Sequence, residues 1–246
     1  MLVSGVSIYG GFSGSETAIS QRDIKVNETI LSGFIDCNDD NTICDQRSDV
    51  VVVGEDLAPG TIIDGLTITG GNNGQFISNN VNGSNGAGMI LRVSSSSEIC
   101  EPTLQNLTIR GNRNIAGNAG GLYISDAQPI IDNCLFTRNF SVLDGGAIYA
   151  VGDANLAITN STFSFNSANE LGGGIAAEVP NLTVENCVFF RNFAEIDGGG
   201  GIFNSSATNL TVRNSTFHLN RVDEGDGGAI LNWGPAFVVN SIIWRN

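Results

Sequence analysis

The sequence predicts an all-β fold, a right-handed parallel β-helix built from coils of about 27 residues. Three observations predict it. Asn106, Asn133, Asn160, Asn186, Asn214 and Asn240 recur at intervals of 27, 27, 26, 28 and 26 residues. Six residues after each of them stands a second Asn: Asn112, Asn139, Asn166, Asn192, Asn220 and Asn246. Between the two, three residues after the first Asn, stand Ile109, Phe136, Phe163, Phe189, Phe217 and Ile243. Self-similarity at a fixed period of this length marks a solenoid. No unit carries helical periodicity over a useful length.

The other positions of the unit agree. Two residues before the first Asn come Leu104, Ile131, Ile158, Val184, Val212 and Val238, all apolar. One residue after it come Leu107, Cys134, Ser161, Cys187, Ser215 and Ser241, all small or apolar. Gly groups at 120–121, 145–146, 172–174, 198–201 and 227–228 lead into apolar strands such as Ala147-Ile148-Tyr149. One unit cannot bury its own apolar face, so copies must stack. Stacking at about 4.8 Å per coil places equal positions above one another. Phe side chains then stack inside. The Asn residues, Asn106 to Asn240 above all, are expected to form a structural ladder, inward or at a bend.

The chain is expected to be one domain over 1–246, with irregular N-terminal coils and loop insertions over 1–101 and regular coils over 102–246. Thr61 to Ile68 matches Pro102 to Ile109, with Gly65 and Gly71 at the two Asn positions. Residues 72–85 read as an Asn/Gly/Ser-rich loop. Strands are expected at Val6 to Tyr9, Thr29 to Leu31 and Val50 to Val53. Their spacing of about 21 residues suggests smaller or irregular first coils.

Composition narrows the function classes. Lys+Arg number 11 and Asp+Glu 25, a net charge of −14, and Lys25 is the one Lys. So acidic a chain is repelled by nucleic acid and anionic membranes. No apolar run approaches the ~18 residues that span a bilayer. Met1 to Gly14 lacks the basic start and long apolar segment of a signal peptide. The five Cys cannot all pair, and no CxxC suggests zinc.

The motif F-x-x-N occurs at Phe136 to Asn139, Phe163 to Asn166, Phe189 to Asn192 and Phe217 to Asn220. G-G-A-I occurs at Gly145 to Ile148 and Gly227 to Ile230. Together these resemble the repeats of polymorphic outer membrane proteins, bacterial autotransporter adhesins. The front half is similar to that of many large secreted bacterial β-helix proteins, through Tyr9-Gly10-Gly11-Phe12, Gln21-Arg22-Asp23, Thr29 to Gly33 and Ile62-Ile63-Asp64-Gly65. The resemblance implies a pectin lyase-like fold and a secreted or cell-surface protein acting in adhesion. The last coil, Phe237 to Asn246, has no cap after it. This leads to the expectation of a further coil or cap in the full gene, and of end-to-end self-association.

Several residue groups are candidate sites. Asp36, Asn38 and Asp40, with Asp45 nearby, have the alternating oxygen spacing of a calcium loop, although Asn41 and Arg47 exclude an EF-hand. Calcium is the one cofactor suggested. Cys37 and Cys44 enclose a closable loop and form a candidate disulfide. Cys134 and Cys187 share an inward column two coils apart, too far for a disulfide, and read as small core residues. Asp144, Asp197 and Asp226 precede Gly groups, with Glu170 close by, and could edge a cation path or a carbohydrate cleft. Arg138, Arg191 and Arg245 share a column with Phe165 and Leu219, a regularity that looks architectural.

Side-chain alternation places Phe190, His218 and Trp244 in one outward column, flanked by Thr216 and Ile242. Outward rings suit sugar stacking or cover by a neighbouring segment. A polygalacturonase would need a G-H-G turn, but the one His is His218 in Phe217-His218-Leu219. The leading expectation is therefore a non-enzymatic protein that contacts a polysaccharide or cell-surface glycan. The alternative is a calcium-dependent lyase of the pectate or alginate type. An outward row of Thr108, Thr162 and Thr216 could suit ice or surface binding, but Leu135 and Val188 interrupt it.

Overall fold

Alternating apolar residues make each repeat a set of short strands, and residues held in the left-handed conformation turn the chain at the corners. The computed structural model describes residues 1–34, 47–74, 85–96, 98–205 and 207–246. The strands stack into four parallel sheets of eight, eight, six and seven strands. One coil passes through all four in turn. In the coil that starts at residue 103, Thr103–Gln105 lies in the first sheet and Thr108–Arg110 in the second. Arg113–Asn114 lies in the third and Leu122–Ser125 in the fourth. The architecture is a parallel β-helix, as the repeat predicts.

Register pairing stacks equal positions. Phe136, Phe163, Phe189 and Phe217 pair successively across the second sheet and are fully buried. Their rings stack at 4.9, 4.7 and 4.6 Å between centroids, within 5° of parallel. Coil spacing imposes this face-to-face stack, which isolated rings would offset. Leu104, Ile131, Ile158, Val184 and Val212 form the matching buried column of the first sheet. Cys134, Ser161 and Cys187 are buried in one column, as expected. The backbone N–H of Cys134 donates to Ser161 Oγ at 3.0 Å, and that of Cys187 to Ser215 Oγ at 3.1 Å. The Gly groups close the corner before the fourth sheet. Gly145 has φ +68°, and a Cβ on Gly146 would stand 2.3 Å from Gly173 O.

The two Asn columns differ in kind. The second threads the interior: Asn112, Asn139, Asn166, Asn192 and Asn220 are at most 1% exposed. In each link one Oδ1 accepts twice. Asn139 donates to Asn166 Oδ1 from its backbone N–H at 3.1 Å and from Nδ2 at 3.0 Å. Its Nδ2 also donates to Ile109 O at 2.8 Å. The first column lies at a bend, with φ between +48° and +54° from Asn106 to Asn240. Asn133, Asn160, Asn186, Asn214 and Asn240 are exposed and Asn106 is half-buried. Its side chains join only in part: Asn133 Nδ2 donates to Asn106 Oδ1 at 2.7 Å, and Asn186 Nδ2 to Asn160 Oδ1 at 3.3 Å. The ladder assigned to Asn106–Asn240 thus belongs, in its buried form, to Asn112–Asn220. The left-handed corner turns the first column out of the core.

The front of the chain is irregular, as expected, but its coils are not smaller. Ile8–Tyr9, Thr29–Ser32 and Val52–Glu55 do not open successive small coils. They pair with Ile62–Asp64, Leu66–Thr69 and Met89–Arg92, which are three sheets of the next coil. They form one coil enlarged by insertions, one of which holds the 3-10 turn Ile19–Gln21. Asn72–Asn73, read from sequence as loop, is a strand of the third sheet. Over the last coil Val238 and Ile243, which continue the inward columns, are 43% and 51% exposed. Among the described residues no helix is long and apolar enough to cross a membrane.

Candidate functional site

The outer face of the second sheet gathers most of the residues singled out from sequence. Inward Phe189 and Phe217 force their neighbours outward. Phe190, His218 and Trp244 therefore pair in register as an outward column. The Phe190 and His218 rings lie 5.8 Å apart, 20° from parallel, and His218 and Trp244 4.9 Å apart, 9° from parallel. His218 Nδ1 lies 3.1 Å from Trp244 O. Trp244 is 55% exposed. Thr216 and Ile242 pair beside the column, as expected.

Three neighbours of the column were not read as functional from sequence. Phe165 meets Phe190 edge to face at 5.5 Å. Arg191 lies over both Phe190 (5.1 Å) and Phe165 (5.7 Å), and Arg245 lies over Trp244 at 4.3 Å. Such contacts contribute about 0.5–1 kcal/mol at exposed sites. The signal was present: Arg138, Phe165, Arg191, Leu219 and Arg245 share one column, all with φ between +51° and +56°. Long side chains at such a corner extend into solvent beside the rings.

Towards the N-terminal coils the same face becomes a polar groove of about 530 Å³. Thr67, Thr108, Leu135 and Thr162 line its floor, and Asn106, Asn133 and Asn160 one rim. Lys25 and Glu28, from the insertion before Thr29, also line it. Glu28 Oε1 accepts from Thr67 Oγ1 at 2.7 Å and from Arg110 Nη2 at 3.1 Å.

The acidic positions lie elsewhere, before the fourth sheet. Asp144 is half-buried and its Oδ1 accepts from the Leu171 N–H at 2.9 Å. Burial first, then the charges of Glu170, Glu178 and Asp197, push its carboxyl up to about 6. Asp197 and Asp226 are exposed. Tyr149 OH donates to Glu178 Oε1 at 2.9 Å, and burial with that bond raises the phenol above its ordinary range. Among the described residues no group of three or more His, Cys, Asp or Glu is placed to hold a metal ion. The calcium candidates Asp36, Asn38, Asp40 and Asp45, and the disulfide candidates Cys37 and Cys44, lie outside the described residues.

No curated protein and no solved structure matches the chain. Residues 64–245 match the family model described as a right-handed β-helix region, which spans all the regular coils and the ring column. The chain belongs to that right-handed β-helix family.

Proposed function

We propose that the protein is an exported or cell-surface β-helix protein that contacts glycans through the outer face of its second sheet, without turnover. The family fits an extracellular, carbohydrate-related role. The carrying observation is the outward stack of Phe190, His218 and Trp244. The rings stack on one another, so the column offers a row of ring edges as apolar contact for a sugar at little entropic cost, because the coils already fix its spacing. The groove of Thr and Asn side chains beyond it supplies donors and acceptors for hydroxyls.

A glycan array followed by calorimetry on the best binder tests this. Phe190→Ala with Trp244→Ala should abolish binding and leave the melting temperature within a few degrees of the parent. Persistent binding in the double variant would place the site elsewhere. New unsaturated ends absorbing in the ultraviolet would mark a lyase instead.

A further inference from the structure

Nine Asn residues open an N-x-S/T sequon, the acceptor pattern for N-linked glycans, and the structure describes eight of these Asn. Sequence does not rank them, but the fold does. Asn139 and Asn204 are buried, and Asn27 and Asn106 are half-buried. Asn160, Asn181, Asn209 and Asn214 are exposed. Attachment of a sugar needs the side-chain Nδ2 itself, and in three of these four it is engaged. Asn160 Nδ2 donates to Asp132 Oδ1 at 2.6 Å, a bond to a carboxylate and so of the strong kind. Asn181 Nδ2 donates to Asn155 Oδ1 at 2.6 Å, and Asn209 Nδ2 to Asn181 Oδ1 at 3.1 Å and Pro180 O at 3.2 Å. Asn214 Nδ2 has no hydrogen-bond partner among the described residues.

The coil below explains the exception. Under Asn106 and under Asn160 the residue before the corner is an Asp. Asp64 accepts from Asn106 Nδ2 at 2.7 Å, as Asp132 does from Asn160. Under Asn214 that position is Glu185, one methylene longer, and it accepts nothing from Asn214. The Asn214 corner, at φ +50°, turns its side chain out of the core where the first sheet passes into the second. Ser215 is buried, and its Oγ donates back to Arg213 O at 2.7 Å. Thr216 follows in the second sheet, half-buried, and its hydroxyl makes no hydrogen bond among the described residues. The amide and the hydroxyl that define the sequon are therefore both unbonded here.

We propose that Asn214 is a glycan acceptor, the sequon Asn among the described residues that is open to modification on the folded chain. The second substrate is a sugar activated as a diphosphate ester at its anomeric carbon, carried by a nucleotide or by a lipid. The Nδ2 electron pair forms the bond to that carbon. The bond from the carbon to the phosphate oxygen breaks, and its pair leaves with the diphosphate. One amide proton passes to a base of the transferase. The attached sugar projects from the corner beside Thr216 and Ile242, which pair across the last two strands of the second sheet. The site stands whether or not the ring column contacts a glycan.

The test uses the folded, unmodified protein in two arms. One supplies a soluble N-glycosyltransferase with a nucleotide-activated hexose, the other a single-subunit oligosaccharyltransferase with a lipid diphosphate-linked sugar. Peptide mapping, with fragmentation that leaves the sugar on its side chain, locates any added mass. The expected result is one glycan per chain, on Asn214, in at least one arm; the arm that works identifies the carrier. Asn214→Gln should lose it. Asp132→Ala, which removes the acceptor that holds Asn160 Nδ2, should add Asn160 as a second site. No transfer in either arm overturns the proposal. So does sugar on Asn160, Asn181 or Asn209 of the parent at the level of Asn214, because the free amide would then not decide. Sugar on buried Asn139 or Asn204 would mean that the chain is modified unfolded, and overturns it too. If Asp132→Ala fails to fold, the map of the parent still decides.

Discussion

Arg22 and Asp64, 42 residues apart, form an ion pair that closes the N-terminal insertion onto the coil that follows it. The Asp64 side chain is 2% exposed and that of Arg22 14%. Asp64 also accepts from Gln105 Nε2 and Asn106 Nδ2, each at 2.7 Å. Arg22 Nη1 donates to Gly10 O at 3.3 Å, and the guanidinium lies 5.3 Å from the Tyr9 ring centroid. The sequence motifs around Tyr9, Arg22 and Asp64 are thus one joint.

Arg22→Ala should destabilise the fold by about 3 kcal/mol, because it leaves a buried carboxylate without its cation. Asp64→Asn with Arg22→Ala should recover part of that loss. Denaturant melts of the single and double variants check both, and additive losses would show that the two side chains do not act as a pair.

The two Asn columns should answer differently to truncation. Asn166→Ala removes an Oδ1 that accepts from Asn139 and an Nδ2 that donates to Phe136 O and Asn192 Oδ1. Buried partners are orphaned, at a cost of about 3 kcal/mol. Asn160→Ala leaves no buried group unpaired and should cost about 1 kcal/mol, through its φ of +51°. Asn160→Gly should then be nearly silent. Thermal unfolding of the three variants gives the order, and equal losses at 160 and 166 would contradict it.

Asp144 sets a pH dependence. Its folded carboxyl titrates near 6 against an ordinary value of 3.8. Between those values the folded state holds the proton more tightly, so its contribution to stability falls as pH rises from about 4 to about 6 and is level above. Asp144→Asn keeps a carbonyl oxygen for the Leu171 N–H and removes the titration. Allowing for partial solvent screening, it should raise stability at pH 7 by roughly 1–2 kcal/mol and change nothing at pH 4. Melting temperatures of variant and parent should converge as pH is lowered; a constant gap would rule out Asp144 as the cause.

Sequence alone determined the solenoid, its period and its inward columns. In a stack of near-identical coils, a spacing of 26 to 28 residues becomes a vertical neighbourhood of about 4.8 Å, so a repeat in one dimension is already a contact list. The outward placement of Phe190, His218 and Trp244 followed from the same alternation. Three things were decided only by the tertiary structure. Which Asn column is buried depends on the left-handed corners at Asn160 and Phe165. The two columns are an even number of residues apart, and alternation alone would put them on one face. The assembly of Ile8–Tyr9, Thr29–Ser32 and Val52–Glu55 into one coil, and the pairing of Arg22 with Asp64, depend on insertions that carry no period. The placement of Arg191 and Arg245 over the rings, with Arg138 exposed in the same corner column, appears only in the structure. A residue at a corner takes its direction from backbone rotation, which the residue types around it do not record.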